Sequence, residues 1–450
     1  MKRKMYNRLL QWKEHSRGRT ALLIQGAPCV GKSYLAEQFA KNEYDSYIRI
    51  DFAAAEEAVK DMLLHDLDDL DTFFLKLEVL YNTKLYERKS VVIFDDVQRF
   101  PEIHRLVGRL VADGRYDYIG TGFLLSVKGH DDAVAVSPKA EQLLLYPMDF
   151  EEFLHAMGHE AMTAAIRDCF KTRLPLGASR HRRIMDLFRQ YLIVGGFPQA
   201  VAEYVKSKDF HAVDQIKRKV LDYYRSSIFD NSKRFGQKVH AIFEEMPAQL
   251  RNLHQHFKFS LLKKGARYSE YEKPLRWLTD AKIVNCCYKT DDPARGLSPQ
   301  QERTMLKCYL ADTGLLLSHM YDEKSIVKEG IYRKLLLDDL EETMGMVLEN
   351  VMAQMLAASG HPLYFYTNAD RENHKNRMEI DFLLAKKADD DPVLLSPVKV
   401  KSGKKYKRSS LKKFMEKYRD QLHIPYDFHT NDVKEEDGIV YLPLYMAMFI

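Results

Sequence analysis

The sequence predicts an α/β protein whose N-terminal third is a parallel sheet wrapped by helices, and three observations carry that prediction. Five short apolar segments, Ala21–Gln25, Tyr47–Phe52, Val91–Asp95, Tyr116–Thr121 and Gln142–Tyr146, alternate with helical patterns through about residue 150. Such alternation favours parallel strands, which need long crossovers that helices supply. A glycine-containing loop, GAPCVGKS from Gly26 to Ser33, follows the first segment and opens a helix. An acid pair, Asp95-Asp96, ends the third. In sheets of this class ligands bind at the carboxyl ends of the strands, where both signals fall.

The loop has the residue types a triphosphate requires. Gly26 and Gly31 permit backbone torsions that turn successive N–H groups toward phosphate oxygens. Gly26, Ala27, Pro28, Cys29, Val30, Gly31, Lys32, Ser33 and Tyr34 form the expected cradle. Lys32 would reach the β and γ phosphates, and the Ser33 hydroxyl would hold Mg²⁺. An ordinary strand-turn-helix is the competing reading, and the flanking context weighs against it. Four apolar residues, Val91 to Phe94, bury the third strand, so Asp95 emerges beside the loop to share Mg²⁺ with Ser33. Asp96 would polarise the attacking water, with less reach than the Glu that many ATPases place there. Thr121, between Gly120 and Gly122, would orient that water. The expected cofactors are ATP and Mg²⁺. Arg99, Arg105, Arg109 and Arg115 are candidates to supply charge to a neighbouring active site, with solvation the default for each.

Composition bounds the rest. The 450 residues exceed one core and suggest roughly three domains. A net charge of +5 is too small to make the whole molecule a polycation. The five cysteines, Cys29, Cys169, Cys286, Cys287 and Cys308, form no CxxC pair and no metal spacing, as expected for reduced thiols. With no apolar stretch of 18 residues and no signal-like N-terminus, a soluble cytoplasmic protein is expected, without membrane contact and with its oligomeric state open.

Five stretches of the first 201 residues carry a resemblance: GAPCVGKS, FDDVQ (Phe94–Gln98), YIGTG (Tyr118–Gly122), YPMDFEEFL (Tyr146–Leu154) and VGGFPQAV (Val194–Val201). It continues through YLADTGLL (Tyr309–Leu316), EIDFLL (Glu379–Leu384), VKSGK (Val400–Lys404) and YLPLYMAMF (Tyr441–Phe449). In this order the motifs resemble a prokaryotic AAA-type P-loop ATPase family whose members carry a C-terminal domain of unknown function. The chain departs from the family in having Asp96 where Glu is usual, and Phe123 where a small residue is common.

The resemblance implies an AAA-type domain over residues 1–155 and a helical lid over residues 156–235. Gly195-Gly196-Phe197-Pro198 reads as a plain turn between lid helices. Three helices and two strands, Ile283–Tyr288 and Leu306–Leu310, predict a winged-helix-like segment over 236–330. Its helix around Arg267, Lys273 and Arg276 would read a nucleic-acid groove or serve only as a connector.

Over residues 331–450 the order is helix Glu342–Ala357, strands Leu363–Thr367, Met378–Ala385 and Leu394–Lys401, basic helix Ser409–Arg419, and an apolar strand to Phe449. That order resembles restriction-endonuclease-like domains, which implies Glu349, Asp381 and Lys401 as a nuclease-like site. The remaining carboxylate of such a site falls at Lys399, on the same side of the strand as Lys401. An ammonium there opposes a metal ion, so the site is expected to be degenerate. The basic run Lys399–Lys413 marks Lys404, Lys405, Lys407 and Arg408 as a candidate nucleic-acid patch, against a solvated basic surface.

The expected function is a slow Mg²⁺-dependent ATPase coupled to rearrangement of its C-terminal domains. Its rivals are an ATP-gated nucleic-acid or protein binder with an inactive nuclease-like domain, and an ATP-dependent DNA nuclease.

Overall fold

The computed structural model describes residues 2–123, 137–232, 235–251, 256–297, 303–321, 329–337, 341–368, 376–386, 394–401 and 409–450. They form two compact units, Met1–Tyr146 with Asp280–Lys282, and Pro147–Thr279 with Ile283–Ile450.

The first unit runs α1 (Met5–Ser16), β1 (Ala21–Gln25), α2 (Lys32–Glu43), β2 (Ser46–Asp51), α3 (Glu57–His65), α4 (Leu70–Leu80), β3 (Ser90–Asp95), α5 (Ile103–Asp113), β4 (Asp117–Gly122) and β5 (Ala140–Leu144). All five strands are parallel, in the order β2-β3-β4-β1-β5. Burial explains that order. Every residue of β1, β3 and β4 is buried, as strands covered on both faces require, whereas β2 and β5 carry more exposed residues at the edges.

On one face Ile48, Ile50, Val92, Phe94 and Tyr118 pack with Val59 and Leu63 of α3, Phe73 and Leu77 of α4, and Val107 and Leu110 of α5. Phe52, Phe94 and Tyr118 stack as successive rungs across that face, 6.1 and 6.2 Å apart with nearly parallel rings. The other face takes Leu35, Ala36 and Phe39 of α2. Asp69 caps α4 by accepting from the Thr72 amide.

The second unit begins with α6 (Phe150–Ala156), α7 (Glu160–Thr172), α8 (Ala178–Val194), α9 (Pro198–Ser207) and α10 (Phe210–Ser232). Next come α11 (Gly236–Arg251), α12 (Phe259–Leu262), α13 (Tyr268–Asp280), β6 (Val284–Lys289), β7 (Leu306–Leu310), α14 (Thr313–Met320), α15 (Glu329–Leu336) and α16 (Glu341–Ala358). The remaining elements are β8 (Tyr364–Asn368), β9 (Met378–Ile380), β10 (Phe382–Lys386), β11 (Leu394–Val400), α17 (Ser409–Lys417), β12 (Tyr426–His429), β13 (Lys434–Glu436) and β14 (Ile439–Pro443).

Three expectations about strands change here. The pair β6–β7 is not a free-standing wing, because β6 also pairs in parallel with β8, making a four-stranded sheet β7-β6-β8-β9. The stretch Met378–Ala385 is two strands, broken at Asp381. Its first half pairs with β8, and its second joins the sheet β10-β11-β12-β14-β13. The last apolar run leaves the sheet after Pro443 and finishes as a 3₁₀ helix, Leu444–Phe449.

The turn at Gly195-Gly196 is more than a plain connection. The Gly196 amide donates to Asp312 Oδ2 at 2.6 Å, and the Gly196 carbonyl accepts from the Met148 amide at 2.7 Å. A Cβ on Gly196 would stand 2.2 Å from the Met148 carbonyl oxygen, so only glycine lets the two backbones meet. Asp312 also caps α14 through the Leu315 amide. Lys217 Nζ, fully buried nearby, donates to the carbonyls of Ile193 and Gly314.

Candidate active site

The site lies where β1, β3 and β4 end. Leu145 crosses so close to the loop after β1 that a Cβ on Gly26 would fall 2.1 Å from its carbonyl oxygen. Cys29 (φ 68°) and Gly31 (φ 91°) are left-handed, which curls the chain back on itself before α2 begins. No side chain caps the N-terminus of α2, so its first amides face the loop. Arg3 braces the curl from outside, donating to the carbonyls of Val30 (2.9 Å) and Tyr146 (2.7 Å). Tyr34, expected in the cradle, is 60% exposed.

Lys32 is buried and donates to the carbonyls of Gly26 (3.0 Å) and Ala27 (2.8 Å). Burial pushes its pKa down to about 8, opposed chiefly by the Asp96 charge. The Ser33 hydroxyl donates to Asp95 Oδ1 at 2.7 Å, and the Thr121 hydroxyl donates to the same oxygen. The register explains this meeting: Ile24 pairs with Thr121, and Phe94 with Gly120, so three strand ends align. Thr121 thus grips Asp95, where the sequence reading gave it a water. Asp96 sits in the left-handed region (φ 55°), half-buried, and accepts from Gln98 Nε2 at 3.0 Å.

Sequence reasoning missed one participant. Arg49 of β2 donates to Asp95 Oδ2 from Nη2 at 2.5 Å and from Nε at 3.0 Å. Its signal was the alternation of Arg49 and Asp51 with the buried Ile48 and Ile50, which puts both polar residues on the α2 side of the sheet. Of the four arginines singled out, Arg109 pairs with Asp68 and Arg115 with Asp71 and Asp113, while Arg99 and Arg105 are exposed.

The donor set suits a magnesium nucleotide. A buried ammonium and uncapped amides favour phosphate, and a hydroxyl 2.7 Å from a buried carboxylate supplies hard oxygen ligands. Residues 18–154 match the family described as an AAA domain. They form an AAA-type domain with a P-loop.

Beyond the AAA domain, residues 185–325 match a domain of unknown function (DUF8612), and residues 344–446 match another (DUF4143). No curated protein matches the chain. Among solved structures, the Holliday junction branch migration motor RuvB of Thermotoga maritima is similar at 11% identity, over 65% of this chain and 90% of its own, with a TM-score of 0.29. PCH-2 of C. elegans is similar at 14% identity over 46% of this chain, with a TM-score of 0.27, and this chain spans 63% of its length. AMPPCP-bound DnaA from Aquifex aeolicus is similar at 10% identity, over 63% of this chain and 90% of its own, with a TM-score of 0.26. These likenesses are too slight to carry a function. Among the described residues no helix is long and apolar enough to cross a membrane.

The nuclease-like residues sit in the second unit, and each acid there has a lysine. Lys307 Nζ donates to Glu349 Oε1 at 2.9 Å. Lys399 Nζ donates to Asp381 Oδ1 at 2.6 Å, and the Val400 amide donates to Asp381 Oδ2 at 2.7 Å. Lys401, expected beside Glu349 and Asp381, donates to Asp427 Oδ2 at 2.5 Å, because β12 lies against β11 and presents that acid, and the charges of Asp381 and Lys399 also act on Asp427. Burial raises the Asp427 pKa, and Lys401 opposes the shift. Among the described residues no cluster of three or more His, Cys, Asp or Glu could hold a metal ion. Lys404, Lys405, Lys407 and Arg408 lie outside the described residues.

Proposed function

We propose that the chain binds ATP with Mg²⁺ and hydrolyses it slowly, and that its nucleotide state drives rearrangement of the segments after residue 155, divided as the sequence suggests. One observation supports this above all: Lys32, Ser33, Asp95 and Thr121 meet at the ends of adjacent strands. Lys32 would leave the Gly26 and Ala27 carbonyls for the β and γ phosphates, with the α2 amides beside it. Ser33 and Asp95 would hold Mg²⁺, whose charge offsets that gathering on the phosphates. Asp96 would take a proton from the attacking water. Thr121 would keep Asp95 in place.

Calorimetry with Mg·ATP tests the reading. The wild-type chain should bind, and Lys32→Ala should weaken binding by about a hundredfold, the scale of a lost charge-assisted phosphate contact. Tight binding by Lys32→Ala would overturn the assignment.

The ion pairs at Glu349 and Asp381 favour a C-terminal region that docks a nucleic-acid or protein partner over one that cuts DNA. Each acid that would ligate a metal is already neutralised by an ammonium. Arg99 and Arg105 are the arginines left free to serve an adjoining copy of the chain, should one assemble.

A further inference from the structure

Asp95 has no spare acceptor. A carboxylate offers about four lone-pair sites, and here two hydroxyls fill Oδ1 while two guanidinium N–H groups fill Oδ2. Ser33 can go on donating its proton to Asp95 while its oxygen serves a metal. The guanidinium has no such compatibility, since it carries the same sign of charge as Mg²⁺ and occupies the other carboxylate oxygen.

Arg49 also has somewhere to go. Asp51 Oδ2 lies 3.4 Å from Nη2, and Glu37 Oε2 lies 3.6 Å from Nη1. Lys41 engages the other Glu37 oxygen at 2.6 Å, which leaves Oε2 for the arginine. The Arg49 side chain is 35% exposed and that of Asp95 only 3%, so the arginine is the partner with room to move.

We infer that Arg49 is a positioning residue that serves as the counter-charge of Asp95 until Mg²⁺ arrives, then passes to Glu37 and Asp51, and so sets the magnesium concentration at which nucleotide is held. The inference rests on the ATP reading of the same site. Removing the arginine leaves the buried carboxylate with its two hydroxyl donors and the Lys32 charge but without its paired cation, a gap that a divalent ion then fills at lower concentration. Removing an acceptor for the displaced guanidinium has the opposite effect.

The test titrates Mg²⁺ into the full chain with a fluorescent ATP analogue, reading bound nucleotide rather than turnover. Arg49→Gln should lower the half-saturating Mg²⁺ about tenfold, the scale of one partly exposed unit charge acting on a divalent ion. Arg49→Lys should return it toward the wild-type value, and Glu37→Gln should raise it. A purely structural role would weaken nucleotide binding at every magnesium concentration. An unchanged or raised half-saturation point in Arg49→Gln would overturn the inference while leaving the ATP reading intact. If Arg49→Gln does not fold, a lowered or unchanged point in Glu37→Gln overturns it equally. Failure of the wild-type chain to bind nucleotide at any magnesium concentration would remove the ATP reading and the inference with it.

Discussion

At Asp96 the side chain is held by Gln98 Nε2 on a left-handed backbone, so its carboxylate is aimed rather than free. Asparagine keeps the shape, the left-handed preference and one acceptor while removing the base. Asp96→Asn should therefore bind Mg·ATP as the wild type does and turn it over at least about a hundredfold more slowly, measured by phosphate release. Equal turnover would remove Asp96 from the chemistry. Lys32, Ser33 and Asp95 were legible in the sequence because each sits in a short motif whose spacing the chemistry dictates. Arg49 was not, because its partner lies 46 residues away and reaches it only through the register that pairs Asp51 with Asp95. The partner of Lys401 was missed for a related reason. Its own acid, Asp427, comes from a four-residue strand with no marked pattern in the sequence.

Among the elements, the strands of the AAA domain announced themselves by apolar runs buried on both faces. The weak edge strand β5 was placed two residues late, since most of it is exposed and offers little contrast with its flanks. In the second unit the composition of the β6–β7 hairpin could not reveal that β8 would join it from residue 364. The α8–α9 turn shows the same blindness, because its glycines answer to Asp312 and Met148, both distant in sequence. Gly196→Ala should lower the stability of the second unit by roughly 2–4 kcal/mol, because the added methyl meets backbone that cannot yield. Denaturant unfolding followed by intrinsic fluorescence checks this, and a loss below about 0.5 kcal/mol would mean the turn relaxes freely.

For the molecule as a whole, acid should act through buried neutral groups. His429 is buried, stacks on Tyr441 at 5.8 Å and feels Lys434 and Lys401, and burial above all pushes its pKa down to about 4. The unfolded chain binds that proton near pH 6.5, so stability is retained above this value and lost as pH falls toward 4. The loss amounts to about 3 kcal/mol for this one group. His429→Gln should flatten the fall in melting temperature across that window, and an identical acid profile would place the sensitivity elsewhere. The row of rings Phe52, Phe94 and Tyr118 bears on the whole nucleotide unit. Phe94 is the chain neighbour of Asp95, and its flat partners on either side clamp the strand from beneath. The carboxylate therefore stands over a closely packed floor, and an adjustment accompanying a magnesium ion would fall to the side chains above it.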